Sequence, residues 1–313
     1  MIRWLREEFS SLARGWNWFW FDSRSDDTLT ALGLYRIAFG AVALFFYFTR
    51  HLDLEFFYGE AGIMPLAHLK SLPNLEFRPT LLALFPSLGF AHALHGLFLF
   101  CLALLTAGLF TRPAAILGFF LHLNFMNRNP AILFGMDTIG TYFLFYLCFA
   151  QAADRWSLDA RFGLVKGRPH SWVSHLALRL MQLQVCVVYA YSGLEKLKGM
   201  RWWDGSALWD VLSIGNMQRF DMSFVAYFPI LLAGAVYLVV AWEIYFAALI
   251  WVPRLRLPML FFGVVMHVGI VVFMNLPSFG LMMMANYLLF LRREELERGM
   301  GWLLRVGGRR ARG

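Results

Sequence analysis

Apolar runs of about 20 residues recur along the chain, broken by short clusters of charge, glycine and proline. A run of that length crosses a hydrocarbon core of roughly 30 Å as a helix, which satisfies its own backbone hydrogen bonds there. The pattern predicts eight spans, at about 29–49, 87–110, 113–127, 131–152, 174–197, 224–251, 257–274 and 277–291. The third and eighth are short, as a tilted or re-entrant segment is. Arg112-Pro113, Asn129-Pro130, Pro253 and Pro277 mark several of the junctions.

Ahead of the first span, Ile2, Leu5, Phe9, Leu12, Trp16 and Trp20 fall on one helical stripe, with Arg3, Arg6, Glu7 and Arg14 off it. Together with the cluster WNWFWF they predict an amphipathic helix lying in the membrane interface over 1–28. The expected fold class is therefore an all-α polytopic membrane protein. It has about eight transmembrane helices over 29–292, the interfacial N-terminal helix, and a basic cytoplasmic tail at 293–313.

Composition strengthens this reading. The chain is 59% hydrophobic and only 15% charged, with 32 Phe and 12 Trp, whereas a soluble domain is about a quarter charged. Cys101, Cys148 and Cys186 all lie inside apolar runs, so they read as small core residues rather than a disulfide framework.

Charge sets the orientation. Arg3, Arg6, Arg14, Arg24, Arg112, Arg155, Arg161, Lys166, Arg168, Arg254, Arg256 and the arginines of the tail share one side of the predicted topology. Fewer basic residues fall on the other side: Arg50, Lys70, Arg78, Arg128, Lys198, Arg201 and Arg219. The asymmetry places both termini in the cytoplasm. A basic tail facing anionic lipid also accounts for the net charge of +8 without invoking nucleic acid. No internal repeat is evident, and the chain carries no Walker loop, GxSxG or strand-linked GxGxxG.

Candidate chemistry centres on the fifth span. Arg179, Gln182, Cys186, Tyr189, Gly193 and Lys196 are spaced three or four residues apart, which gathers them on an arc of about 100°. Such a stripe belongs against other helices rather than lipid. Lys196, at the outer mouth of the span, has two readings. It snorkels to the headgroups, or it lies in an outward-facing cavity where desolvation lets it act as a base. Asp137 (about six residues into the fourth span, roughly 9 Å), His122 in the third and His267 in the seventh are second-rank candidates. Arg36, Arg179 and Glu243 fall in the inner halves of their spans, where an ion pair holding helices together is the expected role. The histidines, His92 and His95 included, make no HxxxH or HExxH spacing, so no metal is expected.

The segment SGLEKLKGMRWWDG (192–205) resembles the signature of the horizontally transferred transmembrane (HTTM) domain family. These are bacterial relatives of the membrane domain of vitamin K-dependent γ-carboxylase. LYRIAFG (34–40), FYGEAGIMP (57–65), RNPAILFGMD (128–137), RWSLDA (155–160), WEIYFAALIWVPRLR (242–256) and HVGIVVFMNLPSFGLMM (267–283) extend the resemblance over roughly 29–292. The resemblance implies a bacterial inner-membrane protein in which Lys196 takes the position of the base that deprotonates vitamin K hydroquinone. Vitamin K hydroquinone or menaquinol is the implied cofactor, and membrane lipids and a quinol are the expected partners. Two departures narrow this. Pro130 stands where the carboxylase has a histidine, and the propeptide-binding β-rich region has no counterpart in these residues. The expectation is thus a quinol- or lipid-handling core with carboxylase-like or redox activity, rather than glutamate carboxylation of a docked protein. A non-enzymatic lipid- or solute-handling protein or a scaffold is the alternative.

Overall fold

The computed structural model describes residues 2–21, 26–72, 78–166, 171–215 and 217–298, without the side chains of 2–10 and 12. The described residues contain no strand. Nine helices of eleven residues or more carry the fold among them: α1 (Ile2–Phe21), α2 (Asp26–Leu52), α3 (Leu88–Ala107), α4 (Thr111–Arg128), α5 (Gly135–Leu147), α6 (Trp172–Lys196), α7 (Pro229–Leu249), α8 (Pro253–Phe273) and α9 (Pro277–Tyr287). Their ends follow local chemistry. Asp26 and Asp27 open α2 and Arg50 and His51 close it, complementing its dipole. Ser87 caps α3 through the Phe90 amide at 3.2 Å. Proline occupies the first turn of α7, α8 and α9, where its missing N–H costs nothing.

Every predicted span contains a helix, but fewer than eight have spanning dimensions. Among the described residues, five segments are long and apolar enough to cross a bilayer: Ala13–Leu52, Leu88–Ala107, Trp172–Lys196, Pro229–Leu249 and Pro253–Phe273. Helices α5 and α9, at 13 and 11 residues, reach only about 20 and 16 Å at 1.5 Å per residue. Helix α4 has 18 residues but spends several on polar groups. Its Asn124 accepts from Thr80 Oγ1 and the Leu81 amide at 3.1 and 2.6 Å. Its buried Arg128 donates to the carbonyls of Met64 and Tyr58 at 2.7 and 2.9 Å. The predicted N-terminal segment is helical over Ile2–Phe21, while 22–25 and the tail beyond 298 lie outside the described residues.

The chain divides into two compact units. The first is Met1–Leu133, Asp137–Leu180 and Leu291–Gly313; the second is Phe134–Met136 and Met181–Phe290. In the first, Tyr35, Phe39, Phe98, Leu102 and Phe143 are fully buried, with Tyr35 and Phe143 ring to ring at 5.4 Å. In the second, the Tyr189 ring lies 4.8 Å from Trp242 and 4.6 Å from Phe246. Aromatic pairs of this kind contribute about 0.5–1.5 kcal/mol each beyond the area they bury.

Candidate functional site

The stripe on α6 is largely buried: Gln182, Cys186, Tyr189 and Gly193 lie inside, while Tyr191 and Leu194 on the opposite face are exposed. Gly193 governs the approach of α7. A Cβ there would meet Ile244 Cγ1 at 2.7 Å and the Ile244 backbone nitrogen at 3.1 Å. Without a side chain at 193, the two backbones close up, as small residues allow in helix pairs lacking a hydrophobic drive.

That close approach brings Lys196 to Glu243. The ammonium donates to both carboxylate oxygens at 2.9 and 2.6 Å and to Ser192 Oγ at 2.6 Å, and it sits 5.1 Å from the Trp202 ring centroid. An ammonium has three N–H groups, and all three are engaged. The sequence places Glu243 in the inner half of its span, in an ion pair between helices; its partner here is Lys196, at the outer mouth of its own span. The difference has a geometric cause: helical side chains lean toward the N-terminus. The lysine stem therefore runs back along α6 to the level of Ser192, one turn earlier, and meets the carboxylate there.

The cluster stands on the wall of a cavity of about 470 Å³ in the second unit. Among the described residues, Lys196 and Glu243 are its only charged lining residues, and most of the others are aliphatic or methionine side chains, with α6, α7 and α8 among the helices that supply them. The segment between α6 and α7 contributes as well. A short helix, Ala207–Ser213, places Leu208, Val211 and Leu212 on the cavity. His267, buried, also lines it. Its Nδ1 lies 2.9 Å from the Gly263 carbonyl and 3.1 Å from Tyr287 Oη, and Tyr287 Oη is 2.5 Å from Tyr189 Oη.

Of the sequence candidates, then, Lys196 and His267 line one cavity. Asp137 and His122 belong to the first unit, where they meet each other: His122 Nε2 is 2.9 Å from the Asp137 carbonyl and 3.1 Å from Thr141 Oγ1. The Asp137 carboxylate, 1% exposed, accepts from Arg50 at 2.9 Å and from Tyr47 Oη at 2.8 Å. It sits in the first turn of α5, not six residues into a helix, because the chain makes a 3₁₀ turn at Pro130–Ile132 and α5 starts only at Gly135. Arg36 binds carbonyls rather than a carboxylate, donating to Leu105, Thr106, Ala152 and Trp156 at 2.6–3.0 Å. This satisfies orphan carbonyls at the C-terminal end of α3. Arg179 donates to the Phe19 carbonyl at 2.9 Å and lies 4.7 Å from the Phe19 ring centroid.

Among the described residues no group of three or more His, Cys, Asp or Glu is arranged to hold a metal ion. His51 and His95 face each other with Nδ1 atoms 3.0 Å apart. No family model matches the chain, and neither a curated protein nor a solved structure does.

Proposed function

We propose that this chain is a multi-pass protein of a bacterial inner membrane, with both termini cytoplasmic, whose second unit binds a quinol or another lipid-like molecule. The observation that carries the reading is the Lys196–Glu243–Ser192 cluster on the wall of an otherwise apolar cavity. Binding sites for amphiphiles have this composition: apolar walls for the tail and a few convergent polar groups for the head. The resemblance to the HTTM family points to the same lysine. A quinol supplies hydroxyl protons and an oxidisable ring when bound, and the cavity's apolar walls and few polar groups suit one.

In this reading Lys196 takes a proton from a head hydroxyl. It does so after passing one of its own along the 2.6 Å contact to Glu243, since the ammonium as it stands has no lone pair. Ser192 and the Trp202 ring hold Nζ in position through the transfer. A non-enzymatic lipid- or solute-handling role is the second reading, favoured by the engagement of all three ammonium N–H groups.

The test is to fill the cavity. Gly269 lines it, and a Cβ there meets no atom within 4 Å. Gly269→Phe should abolish saturable menaquinol binding while leaving the melting temperature of the purified protein unchanged. Undiminished binding to this variant rejects the cavity as the site.

A further inference from the structure

We infer that Glu243 makes the cavity selective for amphiphiles whose head is an uncharged hydrogen-bond donor, and that it excludes carboxylate heads such as those of fatty acids. The inference rests on the reading of this cavity as an amphiphile site, and it concerns what the site's charge and hydrogen-bonding groups accept.

The cavity's polar groups are biased toward acceptors. Every N–H of Lys196, the only cation on its wall among the described residues, is already spent on Glu243 and Ser192. His267 adds an acceptor. A carbonyl can only accept, so the tautomer that satisfies the 2.9 Å contact with Gly263 carries its proton on Nδ1, with Tyr287 Oη at 3.1 Å as a second acceptor, and has its lone pair on Nε2. No described residue bonds that nitrogen. The Glu243 carboxylate, with two oxygens and about four acceptor sites, has capacity beyond the two bonds from Lys196 and the contact from the Ser192 hydroxyl. A hydroxyl head therefore finds acceptors in Glu243 and His267 without breaking any existing bond.

An anionic head finds the opposite. Its attraction to Lys196 is offset by repulsion from Glu243, which lies within hydrogen-bond distance of the same ammonium. Among the described residues no other charged side chain lines the cavity to tip the balance. What remains is the cost of taking a carboxylate out of water into an apolar space. Removing the charge of Glu243 reverses this. Lys196 then lacks its counter-ion, and a fatty-acid carboxylate supplies one while its chain lies along the aliphatic walls.

The probes are radiolabelled oleyl alcohol and oleate, which share one chain and differ in head charge. Saturable binding is measured on detergent-purified full-length wild type, Glu243→Gln and the double variant Lys196→Met/Glu243→Gln, each first checked for a monodisperse elution profile. Each probe's affinity is corrected for its measured micelle partitioning, and the affinity ratios are then compared within wild type and across variants. Wild type should favour the alcohol by about tenfold or more, and Glu243→Gln should raise the relative affinity for oleate by about a hundredfold. The double variant has neither charge and should bind the alcohol without gaining affinity for oleate. A wild type that binds oleate as tightly as the alcohol, or a ratio unmoved by Glu243→Gln, overturns the inference while leaving the amphiphile site standing. Absence of saturable binding of either probe to wild type overturns both.

Discussion

The ion pair at the cavity makes a quantitative prediction about stability. Removing one partner of a buried salt bridge leaves the other desolvated and uncompensated, at a cost of about 3–5 kcal/mol. The Lys196 and Glu243 side chains retain 19% and 8% exposure. That partial access puts the expectation at the lower end, about 3 kcal/mol for Lys196→Met or Glu243→Gln alone. For a chain of this size about 1 kcal/mol moves the melting temperature by roughly 2 °C, so each single variant should melt about 6 °C below wild type. The double variant Lys196→Met/Glu243→Gln removes both charges at nearly constant volume and should return to within about 1 kcal/mol, or 2 °C, of wild type. Melting is followed as the fraction of detergent-solubilised protein that stays monodisperse after heating. The non-additivity is the signature of a direct pair. Single variants that melt with the wild type, or a double variant that loses the sum of the two, would refute the geometry of the cluster.

Other substitutions test the supporting structure. Gly193→Val drives a branched side chain into Ile244 and the α7 backbone; it should cost about 1–3 kcal/mol as overpacking, read by melting. Asp159→Ala removes a carboxylate that caps α4 through the Phe110 and Thr111 amides at 2.8 and 3.0 Å and binds Thr111 Oγ1 at 2.9 Å. Its melting temperature should fall by an amount equivalent to about 1–3 kcal/mol, and Asp159→Asn should fall less, because it keeps one acceptor oxygen. Gly108→Ala places a Cβ against Ser157 and 2.7 Å from Arg36 Nη1 at a backbone φ of 72°, a conformation glycine adopts freely and alanine does not. It should lower the yield of folded protein, whereas Gly269→Ala, which meets nothing, should not.

The helices were legible because long apolar runs admit few alternatives in a membrane. Their dimensions were less so. The proline and glycine signals at Pro130 and Gly135 delay the start of α5, and hydropathy averaged over a window passes across such breaks; α9 starts at Pro277 as expected but gives way to a 3₁₀ turn at Leu288–Phe290. On α6, spacing alone located Lys196 and the small face at Gly193, because both depend only on helical period. The partner of Lys196 was hidden. Placing Glu243 opposite it requires the register of α7 against α6 and the direction of the lysine stem, neither of which is written in one helix. The cavity helix Ala207–Ser213 did leave a trace: Ala207, Leu208, Val211 and Leu212 repeat at helical spacing inside a segment that reads as a loop.

Segments distant in the sequence also fasten one another by polar contacts. Arg36 binds the carbonyl of Trp156, and Arg128 binds Tyr58 and Met64. Lys196 reaches Glu243 past Gly193. A buried arginine or lysine far from others in sequence marks such joints, since each must find carbonyls or a carboxylate to be tolerated there.

The central claim is that Lys196 heads a site for a quinol or similar amphiphile, and anaerobic binding of menaquinol to the purified protein tests it most directly. Wild type is titrated beside Lys196→Met/Glu243→Gln, whose fold the neutral double substitution preserves, and oxygen is then admitted. The account predicts saturable binding to wild type that weakens at least about tenfold in the double variant, with quinol oxidation on oxygenation confined to wild type. Equal binding to both proteins, or none to either, would contradict it.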